Sequence, residues 1–97
     1  MLKVTIKTRK PIDVAWHDTP LFLRLFLKDE YNNGRLKKVS MLYKNDSEMC
    51  SCFLWNTVED YNNYRIKIST IDDYKSYILR CIEEGYCWSN KKELVDA

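Results

Sequence analysis

Leu21-Phe22-Leu23-Arg24-Leu25-Phe26-Leu27-Lys28-Asp29-Glu30-Tyr31-Asn32-Asn33-Gly34 decides the fold, because it fits two kinds of element. Thr19-Pro20 can start a helix, leucine favours one, and Asn32-Asn33-Gly34 can stop it. The same residues also alternate. Leu21, Leu23, Leu25 and Leu27 would share one face of a strand, with Phe22, Arg24, Phe26 and Lys28 on the other. Asn33-Gly34 is the strongest short hairpin signal. A two-residue turn there sets Glu30 opposite Lys37 and Asp29 opposite Lys38, which are favourable cross-strand pairs. As the end of a helix, Asp29 and Glu30 would oppose the dipole. These arguments favour the strand.

An internal repeat extends that reading. Glu30-Tyr31-Asn32-Asn33-Gly34-Arg35-Leu36-Lys37 and Asp60-Tyr61-Asn62-Asn63-Tyr64-Arg65-Ile66-Lys67 match in type at seven of eight positions and are identical at five. The second copy predicts a second turn at Asn62-Asn63, followed by a strand through Tyr64, Ile66 and Ile68. Leu2, Val4 and Ile6 alternate with Lys3, Thr5 and Lys7 in an N-terminal strand, placed at a sheet edge by its lysines. Residues 9–19 read as a loop, 35–44 and 48–57 as strands, and 45–47 as a turn.

The C-terminal helix is clearer. Thr70 can cap it, Asp72 and Asp73 suit its positive end, and Gly85 can close it. Tyr74, Tyr77, Ile78, Cys81 and Ile82 make one apolar stripe. The expected architecture is a single α+β domain over 1–88, with an antiparallel sheet of an N-terminal strand and two successive hairpins packed against a C-terminal helix. Residues 89–97 read as a polar tail. The alternative order, with 19–32 helical, is β-α-β-β-β-α in two layers.

A chain of 97 residues buries about 60–65% of its unfolded surface, enough for one core. Hydrophobic residues at 45% and aromatics at 13% are globular values. Two glycines argue against a glycine-rich phosphate loop. No apolar run is long enough to span a bilayer, and the N-terminus alternates rather than forming a signal block. The expected setting is the cytoplasm. Charge is uneven. Residues 1–45 hold ten Lys/Arg against four Asp/Glu, and residues 46–97 hold six against ten.

The chemistry-bearing residues give little support to catalysis. Cys50 and Cys52 flank one residue on a strand, and Cys81 and Cys87 do not share a helix face, so their spacing does not suit a zinc knuckle. Cysteine packs well as a small hydrophobe. His17 is the only histidine, and nothing sets a nucleophile beside it. The reading is therefore non-enzymatic, with no metal and no cofactor.

Binding is the remaining class. In a five-stranded sheet with one helix, the strand at 20–28 is apolar on both faces. Phe22, Phe26, Phe53 and Trp55 then lie on an uncovered side, as anchors for a homodimer mate or a partner protein. The Lys-, Asn- and Tyr-rich composition suits the AT-rich genome of a phage or mobile element, and suggests an inhibitor of a host protein, including nucleic-acid-acting defence machinery. The alternative is nucleic-acid binding through Lys7, Arg9, Lys10, Arg35, Lys37 and Lys38, with Tyr31 and Tyr61 stacking on bases.

Overall fold

The computed structural model describes residues 1–9, 21–45, 48–83 and 85–96. Its elements run β1 (Leu2–Arg9), α1 (Leu21–Asn32), β2 (Leu36–Asn45), β3 (Glu48–Trp55), α2 (Val58–Ser69), α3 (Asp72–Glu83) and β4 (Cys87–Leu94). The four strands form one antiparallel sheet in the order β2-β3-β1-β4. The α+β class and the antiparallel sheet are as expected, as are strands near 35–44 and 48–57. The element order is not. Neither expected hairpin, 20–44 or 48–68, forms, and residues 46 and 47 of the expected turn at 45–47 lie outside the described residues.

Residues 21–32 are helical, against the strand reading. Phe22, Leu23, Phe26 and Leu27 pack on the core along one stripe, while Leu25 is 57% exposed on the opposite side. As a strand, the segment is apolar on both faces; as a helix, Phe22, Leu23, Phe26 and Leu27 take its buried face and Leu25 its open one. Asn33-Gly34 ends this helix instead of turning a hairpin. Gly34 has φ 74°, its N–H donates to the Tyr31 carbonyl, and the Arg35 N–H donates to the Glu30 carbonyl. These two bonds close a left-handed glycine cap. The Asn33 side chain adds bonds to the Asp29 carbonyl and carboxylate.

The second repeat copy is also helical. The expected turn at Asn62-Asn63 and the strand at 64–68 both lie inside α2. Thr57 caps it, accepting a hydrogen bond from the Asp60 N–H at 3.0 Å. Glu59 and Asp60 sit in the first turn, where the dipole favours acids. Tyr61, Tyr64 and Ile68 form its buried stripe. The repeat thus crosses a helix end in one copy and lies within a helix in the other. Its shared residues do not encode a shared conformation.

The C-terminal helix appears at 72–83, and Gly85 closes it as expected. Gly85 has φ 80°, its N–H reaches the Ile82 carbonyl, and the Tyr86 N–H reaches the Cys81 carbonyl. Thr70 serves the preceding helix: it is the C-cap of α2, and its hydroxyl donates to the Lys67 carbonyl.

Two expectations about the sheet are corrected. β1 is central, flanked by β3 and β4. Its lysines point away from the helices rather than marking an edge. Residues 89–94 are not a free tail. They belong to β4, which pairs with β1 from Leu2↔Leu94 to Arg9↔Cys87. Lys91 and Lys92 keep this outer strand polar, as edge strands commonly are.

The core lies between the sheet and all three helices. Leu2, Val4, Leu23, Leu36, Trp55, Tyr61, Tyr64 and Ile68 form its buried centre. No helix among the described residues is long and apolar enough to cross a membrane.

Gly34 offers a clean test of the cap. No neighbour lies within 4 Å of where a Cβ would stand, so only the left-handed backbone resists substitution. Gly34→Ala should cost about 1–2 kcal/mol, the penalty of a non-glycine residue in that region. Urea denaturation measures it. An unchanged midpoint would mean that this glycine does not fix the end of α1.

Candidate interaction face

The strand register divides the sheet into two chemically different faces. Leu2, Val4, Phe53, Trp55 and Leu36 point toward the helices and into the core. The opposite face is read from the pairing in transverse rows. One row runs Lys38, Leu54, Lys3 and Glu93. The next runs Ser40, Cys52, Thr5 and Lys91. The third runs through Cys50, Lys7 and Ser89.

No helix among the described residues covers this second face. Cys50, Cys52, Leu54, Lys3 and Thr5 are half-buried by their neighbours, and Lys7, Lys38, Ser40, Ser89 and Lys91 are exposed. The Thr5 hydroxyl and the Cys52 thiol are 3.7 Å apart at the centre. Lys91 pairs with Glu93 at 3.5 Å. The middle is thus aliphatic, thiol and hydroxyl, with lysines around and within it.

The expected protein-binding anchors lie elsewhere. Trp55 is 1% exposed, in the middle of the core. Phe22, Phe26 and Phe53 are half-buried and pack against that core from α1 and β3. The two-faced apolar strand that put them on an open side does not exist, because α1 covers the sheet there.

The nucleic-acid candidates are scattered. Lys7, Arg9 and Lys38 belong to the open sheet face. Lys37 falls at an irregularity in the β2–β3 register. Tyr31 is exposed on α1, while Tyr61 is buried against the edge of Trp55, ring centres 5.7 Å apart. Lys92 lies over the Tyr61 ring, 5.2 Å from its centre. Arg35 is occupied: it binds Glu30 and lies 3.5 Å from Asp29. Lys10 and His17, with the loop expected around them, fall outside the described residues.

Glu30 is the structure's main buried charge. It is 2% exposed and accepts hydrogen bonds from Arg35 Nε and, at 3.1 Å, from Lys67 Nζ. Burial pushes its carboxyl up, but the Arg35 and Lys67 hydrogen bonds outweigh that and hold it below the usual carboxylate value. The bond from Glu30 raises the Arg35 guanidinium in turn. This cluster ties α1, β2 and α2 together at one end of the sheet. All its hydrogen-bonding groups are engaged in packing. Burial likewise pushes up the phenols of Tyr64 and Tyr77, and Tyr77 also bonds the buried Cys81 thiol. Among the described residues, no group of three or more His, Cys, Asp or Glu side chains is placed to hold a metal.

Sequence reasoning missed the open face, although its signal was present. Cys50, Cys52 and Leu54 alternate with Phe53 and Trp55, and Lys3 and Lys7 alternate with Leu2, Val4 and Ile6. Choosing which set faces solvent required knowing where the helices lie.

Solved structures share this architecture. Two dimeric ferredoxin-like proteins from uncultured marine organisms superpose with TM-scores of 0.67 and 0.56, both at 13% identity; the alignments cover 99% of this chain in each case and 95% and 94% of theirs. SnoaB, a cofactor-independent oxygenase from Streptomyces nogalater, superposes with a TM-score of 0.53 at 8% identity, over 98% of this chain and 94% of its own. These matches establish a ferredoxin-like α+β fold. No protein-family model matches the sequence, and neither does any curated protein.

Proposed function

We propose that the chain is a protein-binding domain that works as a self-associating pair, two copies closing sheet face on sheet face. The observation that carries this reading is the placement of all three helices on one side. It leaves Cys50, Cys52 and Leu54 half-buried on the other, with no helix among the described residues over them. A face with such a centre is usually completed by another surface, and a self-complementary patch needs only a two-fold axis. The description of two similar structures as dimeric supports the choice of a second copy as that surface.

The reading is non-enzymatic. The oxygenase among the similar structures shares 8% of its residues with this chain, which transfers a fold and no catalytic group. An inhibitor of a host protein would apply the same face to a foreign surface, and is the reading to pursue if the chain does not self-associate.

Leu54→Lys tests the pair. Leu54 lies on the open face, so the monomer should keep its fold by circular dichroism. In each copy the new ammonium stands in the row between Lys38 and Lys3, and two more like charges buried in the interface should weaken the dimer at least about 100-fold, the factor that about 3 kcal/mol produces. Sedimentation equilibrium in phosphate buffer reads the result. Wild type should give twice the chain mass and the variant the single mass. A wild-type chain that is monomeric at high micromolar concentration ends the proposal.

A further inference from the structure

The open face has a charge problem that a bare pair of copies does not solve. Lys3 and Lys7 lie on the central strand, four residues apart on the same face, and Lys38 stands on β2 two strands from Lys3. Strand spacing puts the Lys3 and Lys38 backbones about 10 Å apart, and Lys3 and Lys7 about 13 Å apart. None of these three lysines forms a salt bridge among the described residues; the one acid in their rows, Glu93, stands opposite Lys3 on β4 and is bridged to Lys91. Each copy therefore brings Lys3, Lys7, Lys38 and Lys91 against Glu93 alone in these rows. A two-fold pairing doubles that excess of positive charge in one desolvated interface, where like charges repel far more than in water.

We propose that a multivalent oligophosphate anion is held between the two closed faces and tightens their closure. This rests on the paired reading above. The chemistry of the face favours phosphate over a base or a sugar. The register positions of the face carry no aromatic residue on which a base could stack. Lysine meets phosphate as a mobile point charge rather than a fixed fork, which suits an anion that two copies must share. Ser40, Thr5 and Ser89 lie in the same rows as hydroxyl donors. The half-buried centre of Cys50, Cys52 and Leu54 supplies apolar contact once the charge is matched. The anion and the second copy then bind cooperatively, each favouring the other.

Sedimentation equilibrium of the full chain, in chloride and in inorganic tripolyphosphate at matched ionic strength, tests this. Tripolyphosphate should tighten dimerisation at least about tenfold, within the usual range for a linked ligand. The double variant Lys3→Gln with Lys7→Gln should dimerise in chloride alone and lose the response, with its circular dichroism unchanged. Equal dimerisation in chloride and tripolyphosphate overturns the anion and leaves the pair standing. A monomer in every condition overturns the pair and the anion together. A short single-stranded DNA that binds the monomer more tightly than tripolyphosphate, at equal phosphate concentration, overturns both in favour of a nucleic-acid face.

Discussion

Trp55→Ala is expected to leave the chain largely unfolded. Trp55 ends β3 with 1% of its surface exposed, among the residues that make the core continuous from sheet to helices. Its ring meets Tyr61 edge-on and Tyr64 at a tilt, with centres 5.7 and 5.0 Å apart. Truncating a buried tryptophan costs about 3–5 kcal/mol, and the lost aromatic pairs fall within that range or at its top. A domain of this size has about 5–15 kcal/mol in total, so the loss consumes much of it. Urea denaturation followed by far-UV circular dichroism should show a collapsed midpoint, with Trp55→Phe much milder. The sequence-based placement of Trp55 as an exposed anchor implies the opposite result, a change within about 0.5 kcal/mol. The measurement therefore chooses between a core and a surface residue.

What the sequence disclosed, and what it hid, follows from the range of the interactions involved. α3 was legible because its stripe, its acidic first turn and its closing Gly85 all point the same way within one short segment. The strands β2 and β3 were legible for the same reason. α1 and α2 were not, because Asn33-Gly34 can end a helix or turn a hairpin with equal chemistry. An apolar segment of twelve residues can satisfy either period. What settles α1 is its packing on β2 and on the core through Phe22, Leu23, Phe26 and Leu27, contacts that no local pattern contains. β4 was hidden more deeply. Its polar residues belong to an edge strand whose partner, β1, begins the chain, so the pairing spans nearly the whole sequence. The open face was half legible. The alternation of Cys50, Cys52 and Leu54 with Phe53 and Trp55 gave two faces, and only the helix placement assigned solvent to one of them.

Glu30 shows how one such misreading arose and yields the second large effect. An acid near a helix C-terminus is unfavourable by dipole alone, which argued for a strand. Here the cost is offset locally, because the chain leaving α1 returns Arg35 to Glu30 and α2 brings Lys67 to the other oxygen. Removing the carboxylate leaves both cations without it. Breaking a buried pair from one side costs about 3–5 kcal/mol, but Arg35 and Lys67 are 36% and 45% exposed and regain water. Glu30→Gln is accordingly expected to cost about 2–3 kcal/mol, and Glu30→Ala more, through the cavity it adds. The acid dependence follows from the depressed carboxyl. Its folded value lies below the ordinary carboxyl value of 4.5, so the stabilisation is complete above pH 4.5. It is lost as pH falls through the folded value, where the native state must also take up the proton. The stability difference between wild type and Glu30→Gln should be constant from neutral pH down to about 4.5 and then shrink, an expectation that subtracts the other carboxylates common to both. A difference that stays flat into strong acid would show that Glu30 is held by packing rather than by its charge, and that α1 ends where it does because of Gly34 alone.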